Sequence, residues 1–186
     1  MARASDLQRG GIAAGSGGAF PRPWLRRWGL LLGGGCAVLA VIHLRAWHDT
    51  HGLFINATDS LPNWALLVEA STFPRRGDYV LFRPGRNPLV TAHFGASPPP
   101  FAKIAYGVPG DVVTRAGNAV LINGHEVARL KPFSRQGEPL APGPLGVVPR
   151  GCIYAGSPHK DGFDSRYAAI GFVCTDRLLG TGKPIL

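Results

Sequence analysis

The sequence predicts a mainly β domain of short antiparallel strands, preceded by one N-terminal transmembrane helix. Three observations carry that expectation. The 186 residues include 26 Gly and 17 Pro, counts that disfavour long soluble helices and suit many short strands joined by turns. Residues 28–44, WGLLLGGGCAVLAVIHL, carry no formal charge and are long enough to reach across a bilayer. Beyond them, short apolar runs alternate with Pro, Gly, Asn and Asp, the residues that punctuate strands. An apolar content of 45% belongs to a folded chain.

Taken in order, residues 1–23 are rich in Gly, Ala, Ser, Pro and Arg without an apolar period and read as a disordered cytoplasmic tail. Residues 24–46 read as the anchor, with Trp24, Trp28 and Trp47 as interfacial side chains. Gly33, Gly34 and Gly35 are tolerated in lipid, where they allow close packing. A cleaved signal peptide is the competing reading. The run is longer than the usual signal core, however, and residues 43–47 offer no small-residue cleavage site, so a retained anchor is expected. Arg22, Arg26 and Arg27 precede the run and only Arg45 directly follows it, which puts the N-terminus in the cytoplasm. Residues 47–186 then form an extracytoplasmic domain, in a bacterium on the outer side of the inner membrane.

The net charge of +9 is partly local to this tail. Five arginines and Asp6 precede the apolar run, leaving 15 basic and 10 acidic residues behind it. No basic stripe interleaved with aromatics follows, so nucleic acid is not an expected partner. His43, His48 and His51 lack a carboxylate or thiolate constellation and read as interfacial histidines, with no metal or other cofactor expected.

Past the anchor, residues 64–68, 79–82, 89–94 and 101–106 read as strands separated by turns. Asn123-Gly124, between the apolar residues 119–122 and the segment 126–128, is the strongest hairpin signal, because a tight primed turn demands positive φ. In Phe101-Ala102-Lys103-Ile104-Ala105-Tyr106, alternation puts Lys103 on the face of Phe101 and Ala105. Such a lysine either snorkels outward or is buried so that it loses its proton. Residues 131–150 contain five prolines and match no motif, which predicts an irregular loop with no assigned chemistry. Residues 152–155 and 170–174 read as two strands flanking a polar loop. Paired as a hairpin they set Cys152 opposite Cys174, which leaves open a disulfide or two buried thiols. Cys36, inside the apolar run, is expected to be unpaired.

Ser60, in Asn56-Ala57-Thr58-Asp59-Ser60-Leu61-Pro62, lies 16 residues after Leu44. Even a fully extended connector keeps it within roughly 55 Å of the membrane. This stretch is the first of an ordered set. With it come Arg76-Gly77-Asp78-x-Val80-x-Phe82, Lys103-x-x-x-Gly107-x-Pro109-Gly110-Asp111, Ile122-Asn123-Gly124, and Phe163-Asp164-Ser165-Arg166-Tyr167 with Gly171. Together they resemble the membrane-bound Ser-Lys signal peptidases, and most closely the conjugative-transfer pilin peptidases of the TraF type.

That resemblance implies a signal-peptidase-like β fold in which Ser60 attacks a peptide carbonyl and neutral Lys103 accepts its proton. It implies an oxyanion hole of the Ser60 N–H and the Thr58 hydroxyl, with Asp164 and Arg166 as a structural polar pair near the site. The chain departs from the pattern at Leu61, where Met is usual, and at Gly162, where the family commonly has a serine that orients the lysine. Another hydroxyl or a water is then needed to hold the Lys103 amine. The implied function is a membrane-anchored serine endopeptidase that processes an exported preprotein, with pilin maturation in conjugation as the leading role. A housekeeping signal peptidase I and an inactive structural relative in a secretion apparatus are the alternatives. The implied partners are a preprotein or pilin, membrane lipid, and conjugation or secretion machinery.

Overall fold

The computed structural model describes residues 23–56 and 60–185, apart from the side chains of Pro23 and Leu25. The chain divides into two compact units, Met1–Leu44 and Arg45–Leu186. A helix, α1 (Pro23–Thr50), opens the described chain. Its 28 residues extend about 42 Å at the α-helical rise. Leu30, Leu31, Leu32, Leu39, Ile42 and Leu44 are all more than half exposed along it. Residues Arg26–Thr50 are long and apolar enough to cross a membrane.

The second unit is built from strands. In chain order these are β1 (His51–Ile55), β2 (Ala65–Ala70), β3 (Tyr79–Phe82), β4 (Phe101–Gly107), β5 (Val112–Ala116), β6 (Ala119–Ile122), β7 (His125–Arg129), β8 (Gly146–Val147), β9 (Cys152–Gly156), β10 (Val173–Cys174) and β11 (Leu178–Pro184). Among the described residues they form two antiparallel sheets. The larger has the order β1-β2-β11-β3-β4-β9-β10 and the smaller β7-β6-β5-β8. The mainly β, antiparallel expectation is therefore met.

Sequence and structure agree closely at the β6–β7 hairpin. Asn123 and Gly124 take φ of 51° and 81°, the left-handed pair that a primed two-residue turn requires. Asn123 also donates from its side chain to Asp111 at 2.8 Å. Asp111 further accepts Arg76 Nη2 at 2.5 Å and the Val108 N–H at 2.7 Å. Three of the motifs noted in the sequence thus meet at one carboxylate, which ties the smaller sheet to the turn before β3. Partial burial of Asp111 works against its ionisation, but these hydrogen bonds and the Arg76 charge outweigh it and hold its pKa below the usual value.

Two expected strands differ. Residues 89–94 form a short helix, α2 (Pro88–Phe94). The reason is local: the Asn87 side chain accepts the Leu89 N–H at 2.9 Å as an N-cap, and Pro88 is pre-set for the first turn. Gly95 then ends the helix at φ 83°. Of residues 170–174 only Val173 and Cys174 are strand. The Ile170 and Gly171 N–H groups bond back to Tyr167 O instead, with Gly171 at φ 64°. Where β9 and β10 do pair, Cys174 stands opposite Cys152, and a disulfide joins them.

The core lies between and beside the sheets in three apolar clusters. One gathers Val80, Phe82, Phe101, Ala105 and Ile153, another Leu61, Leu66, Val68, Leu81 and Ala102. These two take opposite faces of β3 and β4, as strand alternation requires. A third, with Val113, Val120, Ile122 and Tyr154, fixes the smaller sheet against β9.

Candidate active site

Ser60 and Lys103 line one cleft of about 730 Å³ in the second unit. Two features hold the segment that carries Ser60. The Asn56 side chain donates to Asn63 O at 3.2 Å and its backbone N–H to Trp64 O at 2.7 Å. Leu61, only 5% exposed, sinks into the cluster of Leu66, Leu81 and Ala102. The residue after Ser60 is thereby fixed in the core while Ser60 itself stays half-buried on the cleft. Thr58, the expected oxyanion-hole residue, lies outside the described residues.

Lys103 sits in the middle of the larger sheet. On β4 it pairs with the fully buried Val80 of β3, and β9 flanks the strand on its other side. A central position closes the sideways escape that an edge lysine would use to reach water. The residue is 6% exposed, with its amine 6.0 Å from the centre of the Phe101 ring. Among the described residues no carboxylate is within salt-bridge distance of it. Desolvation is the largest influence on its titration; Asp164 pulls the pKa upward and Arg166 downward, and the net result is a fall from 10.5 to about 8.

Asp164 and Arg166 form a buried pair, with Arg166 Nε donating to Asp164 Oδ1 at 2.8 Å and Nη2 to Oδ2 at 2.9 Å. The bidentate fork leaves the guanidinium free to donate also to Ser157 O at 2.8 Å and Arg129 O at 3.3 Å. Asp164 Oδ2 accepts the Ser157 N–H and hydroxyl at 3.0 and 3.1 Å. The pair therefore fastens the end of β9 to β7 with its charges fully satisfied.

Residues 131–150 match no motif and were expected to carry no chemistry, yet Lys131, Phe133, Ser134, Arg135, Gln136 and Leu140 all line the cleft. They are held there through Asp161, which bonds both Lys131 Nζ and, at 2.6 Å, Arg135 Nη2. The cleft is also lined by an aromatic wall that runs from Phe101 through Phe94 to Phe163 and Tyr167, with ring centres 4.8, 6.1 and 6.0 Å apart. α2 contributes Phe94 to this wall. The signal that was readable in the sequence is the pairing of opposite charges, Lys131 and Arg135 with Asp161, but it depends on which loops meet. Among the described residues no cluster of His, Cys, Asp and Glu could hold a metal ion.

Comparison with known proteins adds a family. A crystal structure of a signal peptidase I from Enterococcus faecalis V583 is matched at 21% identity with a TM-score of 0.34, covering 59% of this chain and 97% of that one. No curated protein sequence matches. The family model described as "Signal peptidase, peptidase S26" matches residues 25–186. The match takes in both the apolar helix and the whole strand-built unit with its cleft, and on it the chain belongs to the signal peptidase family, peptidase S26, whose members are serine-type endopeptidases acting on preproteins.

Proposed function

We propose that Ser60 is the nucleophile and Lys103 the general base of a Ser-Lys endopeptidase. The observation that carries this reading is a lysine 6% exposed, in a cleft it shares with a serine, with its pKa lowered to about 8. A neutral amine is the form the chemistry requires. Ser60 Oγ bonds to the scissile carbonyl carbon as its proton passes to Lys103 Nζ. The resulting ammonium gives that proton to the departing amine nitrogen as the C–N bond breaks. A water then attacks the acyl-serine carbonyl, losing its proton to Lys103, and the ammonium returns that proton to Ser60 Oγ as the ester C–O bond breaks. The Ser60 N–H and Thr58 hydroxyl are assigned to the developing oxyanion.

The substrate in this reading is an exported preprotein bound extended along the cleft, with small residues at the cleaved side. The chain is a single-pass protein of the bacterial inner membrane, its N-terminus in the cytoplasm and its catalytic unit on the other side. Arg22, Arg26 and Arg27 ahead of the apolar run support that orientation, and the disulfide suits an oxidising compartment. Within the family we favour the pilin-maturing type, working with conjugation machinery, because the ordered motifs resemble that type. Reconstitution with candidate pilin precursors and general preproteins tests both levels. Ser60→Ala and Lys103→Ala should each abolish cleavage; cleavage that survives either substitution removes the dyad, and equal cleavage of all preproteins removes the pilin assignment.

A further inference from the structure

A neutral lysine works as a base only if its lone pair points at the proton it takes, so some polar group must hold the amine's N–H bonds. Three observations converge on Ser157. First, β4 and β9 pair with Ile104 opposite Gly156 and Ala105 opposite Ala155. Continued by one residue, that register sets Ser157 directly across from Lys103 on the same face, where facing residues are in side-chain contact range.

Second, Ser157 is 1% exposed, and its hydroxyl donates to Asp164 Oδ2 at 3.1 Å. With its proton committed there, the oxygen has only lone pairs left to offer. Third, the hydroxyl occupies the space of a neighbouring side chain. A Cβ built on Gly162, which lines the cleft with Lys103, would stand 2.1 Å from Ser157 Oγ. Gly162 has no left-handed φ that would call for glycine, so what excludes a side chain there is this oxygen, together with Asp164 Oδ2 at 2.9 Å and Arg166 Nη2 at 3.0 Å.

We infer that the Ser157 hydroxyl, delivered from the end of β9 into the side-chain space of Gly162, is the acceptor that orients the Lys103 amine toward Ser60. Ser157 is thus a positioning residue, and the inference rests on the Ser60–Lys103 reading above. Asp164 fixes the hydroxyl, the hydroxyl takes one N–H of Lys103, and the amine lone pair turns to the nucleophile. Contacts of this kind commonly tighten only when substrate binds.

The test uses the full-length protein in detergent and an internally quenched peptide with alanine at the cleaved side. kcat, KM, the pH profile and thermal melting are recorded for wild type, Lys103→Ala, Ser157→Ala, Gly162→Ser and the double variant Ser157→Ala with Gly162→Ser. Ser157→Ala should lower kcat by about 100-fold, the scale of a misplaced catalytic group, with KM changed by less than about twofold. Its pH midpoint should move away from that of wild type. Gly162→Ser alone should be impaired by the collision, and the double variant, with one hydroxyl restored to that space, should recover kcat relative to either single change.

Wild-type kcat and pH midpoint in Ser157→Ala, beside an inactive Lys103→Ala, would overturn the inference and leave the dyad standing. A loss seen only in melting temperature and KM would also overturn it. An active Lys103→Ala would remove the dyad itself. Should Ser157→Ala not fold, Ser157→Cys keeps the shape but weakens the acceptor; it should show the same kcat loss, and a wild-type kcat there would overturn the inference.

Discussion

At Lys103 the requirements of folding and of the proposed chemistry conflict. Burial lowers its pKa from 10.5 to about 8, so the native state binds its proton more weakly than the unfolded chain does. Below pH 8 both states are protonated and the burial penalty is fully present. Between 8 and 10.5 the unfolded chain binds more protons, so this contribution makes stability rise with pH, and above 10.5 the penalty is gone. Its size is on the order of 3 kcal/mol. Lys103→Met should therefore stabilise the protein at pH 7 by up to about 3 kcal/mol in chemical denaturation, and the gain should shrink toward zero by about pH 10.5. A Met variant no more stable than wild type at pH 7 would mean that the amine reaches water. Strand alternation was enough to put Lys103 among apolar neighbours. That it lies on a central strand depends on β9, some fifty residues later, and no local pattern reports that pairing.

At the scale of elements, the strands with strong turn chemistry were legible and those without it were not. The Asn123-Gly124 turn follows from residues that dictate their own backbone, whereas reading residues 152–155 and 170–174 as a hairpin set Cys152 opposite Cys174 but left their disulfide open until the structure showed it. Residues 89–94 are a short apolar run, which suits strand and helix equally, and the Asn87 cap decides for helix. The segment from 131 to 150 was opaque for another reason: its side chains acquire a role only through contacts with the loop after β9. Gly143 shows how tight those contacts are. Its N–H donates to Arg166 O at 2.7 Å, and a Cβ there would lie 2.1 Å from Ser165 O. Gly143→Ala must push the backbone that carries Asp164 and Arg166, and should cost about 1–3 kcal/mol of stability with a clear fall in kcat. A neutral substitution would show that this segment moves freely against the site.

For the whole molecule, one covalent bond and one apolar helix set the conditions under which the fold works. The Cys152–Cys174 disulfide closes a loop with a sequence separation of 22 around the residues that carry Ser157, Asp164 and Arg166. For a loop of that length the chain-entropy contribution is about 3 kcal/mol, so Cys152→Ala with Cys174→Ala should lower unfolding free energy by roughly that amount. An unchanged stability would make the bond incidental to the fold. α1 exposes an apolar surface that water does not tolerate, and extraction of the full chain from membranes should require detergent rather than salt or alkali. These broad features were readable from composition and run length. The position of Ser157 was not, because it depends on the pairing of β4 with β9, which only the folded sheet brings about.

The central claim is that a neutral Lys103 takes the proton of Ser60, and the pH dependence of kcat/KM for preprotein cleavage tests it most directly. Below the midpoint the rate should climb about tenfold per pH unit, as the neutral fraction of a single base does. The midpoint should fall near 8, followed by a plateau at higher pH. A profile flat from about pH 6 to pH 10 would contradict a base of this pKa and with it the assignment of Lys103.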